Sequence, residues 1–380
     1  MNRFILTLFA ILCFSTPAFA QSLIETSAKQ AIVVDYDTGT VLLEKNPDEK
    51  MPTSSMSKVM TMYMIFDALK RGDMHLDGKL KVSERAWRME GSKMFIEVDK
   101  EVKIEDLIRG VIVQSGNDAT VVLAEGLSGS EMAFSSAMTT KAKELGMLNS
   151  NFVNASGWPD PQHYSTARDL AILGSALIKN FPEYYPYYSE TEFTYNAIKQ
   201  GNRNPLLYRN IGADGIKTGH TEAAGYGLIG SGIIDGRRII LVVNGLTDEK
   251  ERAQESAKLL EWGLKNFENR KLFAAKEAVE DIPVIMSTSG SIPAVLHEDL
   301  IVTLPKISLK DFTVTANFKS PLYAPVAEGQ EIGTLEVNIP HMPKIEHTLY
   351  AGASAPKLGF MAGTFTKAKI ILSGGEITTQ

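Results

Sequence analysis

Cysteine is almost absent: the 380-residue chain holds one, Cys13. It lies in the opening stretch MNRFILTLFAILCFSTPAFA, which has the form of a secretory leader, with Arg3 in a short n-region, an apolar run from Phe4 to Phe14 and a small-residue site at Ala18-Phe19-Ala20. A cut before Gln21 leaves a mature chain with no thiol. That excludes a disulfide framework, a thiolate nucleophile and Cys-ligated zinc. An exported, thiol-free chain of this size suits an oxidising compartment, read here as the bacterial periplasm or cell surface. The leader's apolar run is too short to span a bilayer.

Positive charge is also in deficit. The formal net charge is −6, so nothing provides the basic footprint that nucleic acid requires. Histidines are few, and His75, His163, His297, His341 and His347 show no metal-ligand spacing; His341 and His347 stand six apart. No metal and no cofactor are expected. Internal repeats and low-complexity tracts are missing too. The length and the 44% apolar content leave material for two or three domains with a sizeable core.

The segment KQAIVVDYDTGTVLLEKN (29–46) reads as a hairpin around Asp37-Thr38-Gly39. A helix opens at Ser54 or Ser55 and stops at Gly72. From about 104 to 180 the period is helical: IEDLIRGVIVQ and DATVVLAEGL are joined by Ser115-Gly116-Asn117, and STARDLAILGSALIK begins at a Ser/Thr cap. Strands return at 214–245, where GYGLIGSGII and RRIILVVNGL flank Asp235-Gly236, a dipeptide suited to positive φ. The helix EKERAQESAKLLEWGLKNF follows. After about 275 apolar and polar residues alternate between Gly- and Pro-bearing turns. The expected division is a leader (1–20), an α+β domain (21–280) with an antiparallel sheet, flanking helices and a helical cluster, a small all-β domain (281–356) and a tail (357–380).

The chemistry starts at MPTSSMSKVMTMYMIFDALKRG (51–72). This helix is apolar on nearly every side, yet it opens with Ser55 and Lys58 three residues apart and so on one face. Serine is a weak nucleophile at its free pKa and needs an adjacent base. A lysine serves if it is neutral, which desolvation and a second nearby cation both favour. A second Ser-x-x-Lys, Ser354 to Lys357, contains Pro356 and is not expected to be helical. Taken singly, the first reads more readily as a capping serine beside a surface lysine. Two further pieces change that: Ser115-Gly116-Asn117, the chain's one Ser-x-Asn, and Lys217-Thr218-Gly219, its one Lys-Thr-Gly, on an expected edge strand.

In that order, on helix, loop and strand, the three motifs resemble those of the penicillin-binding proteins. The likeness is to the low-molecular-mass group, the exported D-alanyl-D-alanine carboxypeptidases. It extends over about residues 25–350 and includes GSKMF, GVIVQSGNDA, YSTARDLA, NRNPLL and DGIKTGHTEAAGY. The resemblance implies a penicillin-binding-protein/β-lactamase-like fold followed by the β-domain, and a serine peptidase of peptidoglycan pentapeptide stems that β-lactams acylate. It implies that Ser55 attacks, Lys58 takes its proton, and Ser115 relays it with Lys217 close by. Asn117 would hold the substrate amide, and the backbone N–H groups of Ser55 and His220 would form the oxyanion hole. Thr218 and Arg203 would dock the terminal carboxylate, with the substrate lying along 216–221, past Gly219.

Two departures stand out. Many relatives carry an arginine just after the strand matching ILVVNGL; here Leu246-Thr247 stands, which shifts carboxylate docking onto Arg203 and Thr218. Relatives often end in an amphipathic helix. Here Leu358, Met361, Phe365, Ala368 and Leu372 fall on one helical face with Lys357, Lys367 and Lys369 available to anionic lipid, while Gly359 and Gly363 weaken that helix. Peripheral contact with the inner membrane and a frayed or strand-like end both remain open. A β-lactamase is the competing enzyme, disfavoured because ELGMLN (144–149) has the wrong spacing for the Glu-x-x-Leu-Asn context of the deacylating glutamate. Endopeptidase or transpeptidase action and a non-catalytic penicillin-binding scaffold are the other readings. A Ser-His-Asp hydrolase is disfavoured by the missing Gly-x-Ser-x-Gly elbow.

Overall fold

The computed structural model describes residues 24–359 apart from positions 320 and 341. The expected leader with Cys13, His341 and the tail beyond 359 lie outside the described residues.

Strands β1 (Gln30–Asp35) and β2 (Val41–Lys45) form the expected hairpin. A 3-10 turn, Ser54–Ser57, then leads into α1 (Lys58–Arg71), which ends at Gly72 with φ +80°. A small antiparallel ribbon, β3 (Lys79–Lys81) with β4 (Glu101–Lys103), brackets the short α2 (Glu84–Arg88). Helices α3 (Ile104–Ile112), α4 (Asn117–Ser128) and α5 (Glu131–Glu144) gather around α1. That explains why α1 is apolar nearly all round: Val59, Met60, Met62, Ile65 and Phe66 are all buried. Helix α6 (Ala167–Asn180) begins at Thr166, whose Oγ1 accepts the Asp169 N–H at 3.1 Å, the cap expected from its sequence.

After the hairpin β5 (Glu192–Tyr195) and β6 (Ile198–Gly201) come β7 (Ala213–Thr221), β8 (Gly225–Ile234) and β9 (Arg237–Leu246). The main sheet has the order β2-β1-β9-β8-β7 with every neighbour antiparallel, so β7 is an edge. Alternate side chains point to opposite faces. Ile240 and Val242 join the helical core, whereas Leu241 and Val243 pack with Leu259, Leu260 and Leu264 of α7 (Glu249–Lys265). Burial on both faces makes RRIILVVNGL a continuous apolar run. The turn between β8 and β9 has Asp235 at φ +52° and Gly236 at φ +81°, as the dipeptide predicts.

Helix α7 stops at Lys265, two residues short of the expected end. Phe267 is already in strand, opposite Pro305, with its ring edge-on to Trp262 at 4.9 Å. Among the described residues from Phe267 on, the regular structure is β apart from one 3-10 turn: a two-stranded ribbon (Phe267–Phe273 with Leu300–Pro305) and a six-stranded sheet with its own core, including Ile292, Leu335, Val337 and Leu349. Ser354–Lys357 is not helical. The two parts meet through a polar joint. Buried Asp35 pairs with Arg237 at 2.7 Å and accepts from Asn269 at 3.0 Å, and Thr38 Oγ1 lies 2.6 Å from Thr303 Oγ1. No helix among the described residues is long and apolar enough to cross a membrane.

Candidate active site

Ser55 sits on the 3-10 turn, not in the first turn of an α-helix as its sequence suggests. The tighter winding eclipses positions i and i+3 and so stacks Ser55 directly over Lys58. Packing imposes it. A Cβ on Gly219 would come 2.9 Å from Thr53 O, and one on Gly157 would come 1.8 Å from Ser54 O, so neighbours press on the turn from two sides.

Lys58 Nζ lies 2.7 Å from Ser55 Oγ, 2.7 Å from Asn117 Oδ1 and 2.7 Å from Ser156 O. Asn117 Oδ1 and the Ser156 carbonyl can only accept. A neutral amine therefore spends its two N–H groups on them and turns its lone pair to the Ser55 hydroxyl. The surroundings favour that form. Lys58 is 1% exposed. Burial first, and the Arg203 charge second, bring its pKa down to about 7, with Asp118 opposing.

Ser115 is buried, in the left-handed region at φ +59°, in the loop between α3 and α4. Asn117, at the start of α4, is held by its own N–H to Ser92 O at 2.7 Å and by Nδ2 to Glu90 O at 2.7 Å. Gly116 between them has no room for a Cβ, which would meet Asp118 Oδ1 at 2.8 Å.

On β7, Lys217 and Thr218 are buried and Ser54 Oγ donates to Thr221 Oγ1 at 3.2 Å, tying the edge strand to the turn that carries Ser55. Lys217 Nζ donates to Thr218 O at 3.0 Å. Its pKa is pushed well down by burial, then by the charges of Lys58, Arg203 and Arg252. The His220 ring is exposed and stacks on Tyr226 at 3.9 Å. Arg203 donates to Ser92 Oγ.

A further cation that the sequence reading did not single out acts on Lys217, the guanidinium of Arg252. Asp248 caps α7 by accepting the Glu251 N–H at 2.7 Å, Thr247 donates its N–H and Oγ1–H to the Glu251 carboxylate, each at 2.7 Å, and Arg252 follows, buried, with its guanidinium 5.5 Å from the Tyr226 ring. The sequence carried a weak signal, since an arginine near a helix start opposes the macrodipole and wants a reason. His163 was also missed. Its Nδ1 accepts from Val153 N–H at 3.3 Å, so Nε2 carries the proton and donates to Ser57 Oγ at 2.7 Å. Burial lowers its pKa to about 4, which makes it a neutral brace for the turn. Among the described residues no group of three or more His, Cys, Asp or Glu could hold a metal ion.

Gly157 offers a direct check on this packing. It has φ +79° and presses on the Ser54 carbonyl, while its neighbour Ser156 holds Lys58. Gly157→Ala is expected to destabilise the protein by about 2–5 kcal/mol, from backbone strain plus overpacking. Thermal unfolding reads this; an unchanged melting temperature contradicts the packing.

The D-alanyl-D-alanine carboxypeptidase family matches residues 17–247, and the C-terminal domain of penicillin-binding protein 5 matches residues 267–357. The D-alanyl-D-alanine carboxypeptidase DacA of Haemophilus influenzae is 40% identical over 317 residues, covering 81% of this chain and 80% of that protein. The crystal structure of penicillin binding protein 5 from the same organism has a TM-score of 0.79 at 37% identity, covering 88% of this chain and 99% of that one. The D-alanyl-D-alanine carboxypeptidase DacD of Francisella tularensis gives 0.80 at 30% identity, covering 93% and 97%.

Proposed function

The chain belongs to the D-alanyl-D-alanine carboxypeptidase family, and on that premise we propose that it removes the terminal D-alanine from peptidoglycan pentapeptide stems through an acyl-enzyme on Ser55. The observation that carries the assignment is the dry 2.7 Å approach of Lys58 Nζ to Ser55 Oγ, with the amine's pKa down at about 7.

The stem lies along β7 as an added strand, using the free edge. Thr218 and Arg203 receive its terminal carboxylate, with Arg252 adding positive potential behind them. Asn117 holds the substrate amide. The Ser55 oxygen attacks the carbonyl carbon between the two D-alanines as its proton passes to Lys58. The carbonyl oxygen, now negative, is met by the N–H groups of Ser55 and His220; one such donor is typically worth ~10²–10³ in rate. The C–N bond then breaks, and Ser115 passes the proton from Lys58 to the departing amine of D-alanine, with Lys217 supporting the relay. Water hydrolyses the ester, releasing the shortened stem and restoring Ser55. Penicillin enters the same way, but its opened ring stays tethered and the ester persists.

The site's location follows from the leader, which would deliver the chain to the periplasm. The tail from 357 would rest on the inner membrane with the β-domain as spacer. We place the boundary between catalytic and β-domains at Asn266 rather than 280, because strand Phe267–Phe273 pairs with Leu300–Pro305.

The test is the rate of labelling by a fluorescent penicillin as a function of pH, with the label mapped by mass spectrometry. The expected label is on Ser55. The sign follows from the base: below its pKa of about 7 Lys58 is protonated and cannot accept, so the rate falls about tenfold per pH unit on the acid side. A label elsewhere, or a rate flat between about pH 5 and 8, sinks the assignment.

A further inference from the structure

Asp118 follows the Ser-x-Asn motif directly and has no part in the chemistry above. It is 1% exposed. Its carboxylate nonetheless accepts four backbone N–H groups: Met94 at 3.0 Å and Ala119 at 2.9 Å on Oδ1, Phe95 at 3.0 Å and Ile96 at 3.4 Å on Oδ2. Three of these donors come from one irregular segment, and Phe95 within it sits at φ +66°, a conformation an L-residue adopts only when held. The absence of a side chain at Gly116 leaves the space for this nest.

The anchored segment is what touches the site. Glu90 O and Ser92 O hold the side chain and the backbone of Asn117, and Ser92 Oγ accepts from Arg203. On its outer side it is met by the β5–β6 hairpin region through Asn196 and Gln200. We propose that Asp118 is a positioning residue that fixes segment 90–96 over the site, and through it Asn117 and Arg203, and that its charge tunes the field at Lys58. The inference rests on the assignment of Ser55, Asn117 and Arg203 above.

The charged and titratable groups acting around this pair come from separate elements. Lys58 interacts with Arg203, with Lys217 on β7, with His163 from the loop before α6 and with Asp118 on α4. Tyr195 on β5 also feels Asp118. Asp118 is the chain neighbour of Asn117, whose Oδ1 lies 2.7 Å from Lys58 Nζ, and among these partners it is the anion that favours the Lys58 ammonium. Removing its charge therefore lowers the pH at which Lys58 becomes a base, an effect that loss of anchoring alone does not produce.

The experiment is the pH profile of Ser55 acylation by a fluorescent penicillin in Asp118→Asn and Asp118→Glu, each made in the full chain. Asp118→Asn is expected to lower the high-pH plateau by about tenfold or more, because small displacements of positioning groups are costly. It is also expected to move the acid limb by about half a unit or more towards lower pH. Asp118→Glu keeps the charge and displaces the carboxylate, so the plateau falls while the limb stays. A wild-type plateau in either variant overturns the anchoring. An unmoved limb in Asp118→Asn overturns the effect on Lys58. Should Asp118→Asn not fold, Asp118→Glu still decides the anchoring by its plateau. In either variant a label that still maps to Ser55 leaves the catalytic assignment standing, so the two ideas fail separately.

Discussion

Ser55→Ala is expected to release no measurable D-alanine from a pentapeptide and to take up no penicillin. Loss of a serine nucleophile of this kind costs on the order of 10⁶ in turnover. The size of the effect is not a folding effect. Ser55 is half-buried, the hydroxyl's close partner is Lys58, and Lys58 keeps Asn117 Oδ1 and Ser156 O when it is gone. Unfolding curves should therefore overlay those of the wild type while product formation disappears. Turnover within tenfold of wild type would remove Ser55 from the reaction, and a folded protein inactive for this reason also excludes a scaffold that merely binds the stem.

Lys58→Met is the second large effect. Methionine is close to lysine in length, suits a dry pocket and cannot accept a proton, so acylation is expected to fall by about 10²–10⁴, the usual contribution of a general base. The variant also has a signature in stability. In the unfolded chain this amine keeps its proton up to the ordinary lysine pKa of 10.5, whereas in the folded protein it loses it at about 7. Between those values the unfolded state binds more protons, so wild-type stability rises with pH, by at most about 1.4 kcal/mol per unit from this group. Folding of the wild type thus carries a cost below pH 7 that fades towards pH 10.5. Lys58→Met should lose that slope, as followed by urea unfolding at several pH values. An equal slope in both proteins would mean that the lysine is charged in the folded state, and the proposed base would be lost with it.

Features whose cause is local were legible in the chain. The Asp235-Gly236 turn, the Thr166 cap and the Gly72 stop each depend on one residue's conformational freedom or one side-chain oxygen. The β7 edge was legible from its neighbouring hairpin. The end of α7 was not, because Phe267 leaves the helix to pair with Pro305, a partner thirty-eight positions away that no local pattern reveals. The 3-10 form of the Ser55 turn escaped for the same reason: a serine-rich start reads as an ordinary cap, and Gly157 and Gly219 tighten it from distant segments.

Which side chains are available, and in what order, was determined by the amino-acid sequence alone: a hydroxyl three residues before an amine, a Ser-x-Asn, a Lys-Thr-Gly and no cysteine after Cys13. Only the tertiary structure decided what state those groups are in. Desolvation and fields from neighbouring charges act through space, so the lowered pKa of Lys58, the pull of Arg252 on Lys217 and the nest around Asp118 exist only once segments far apart in the chain exclude water together.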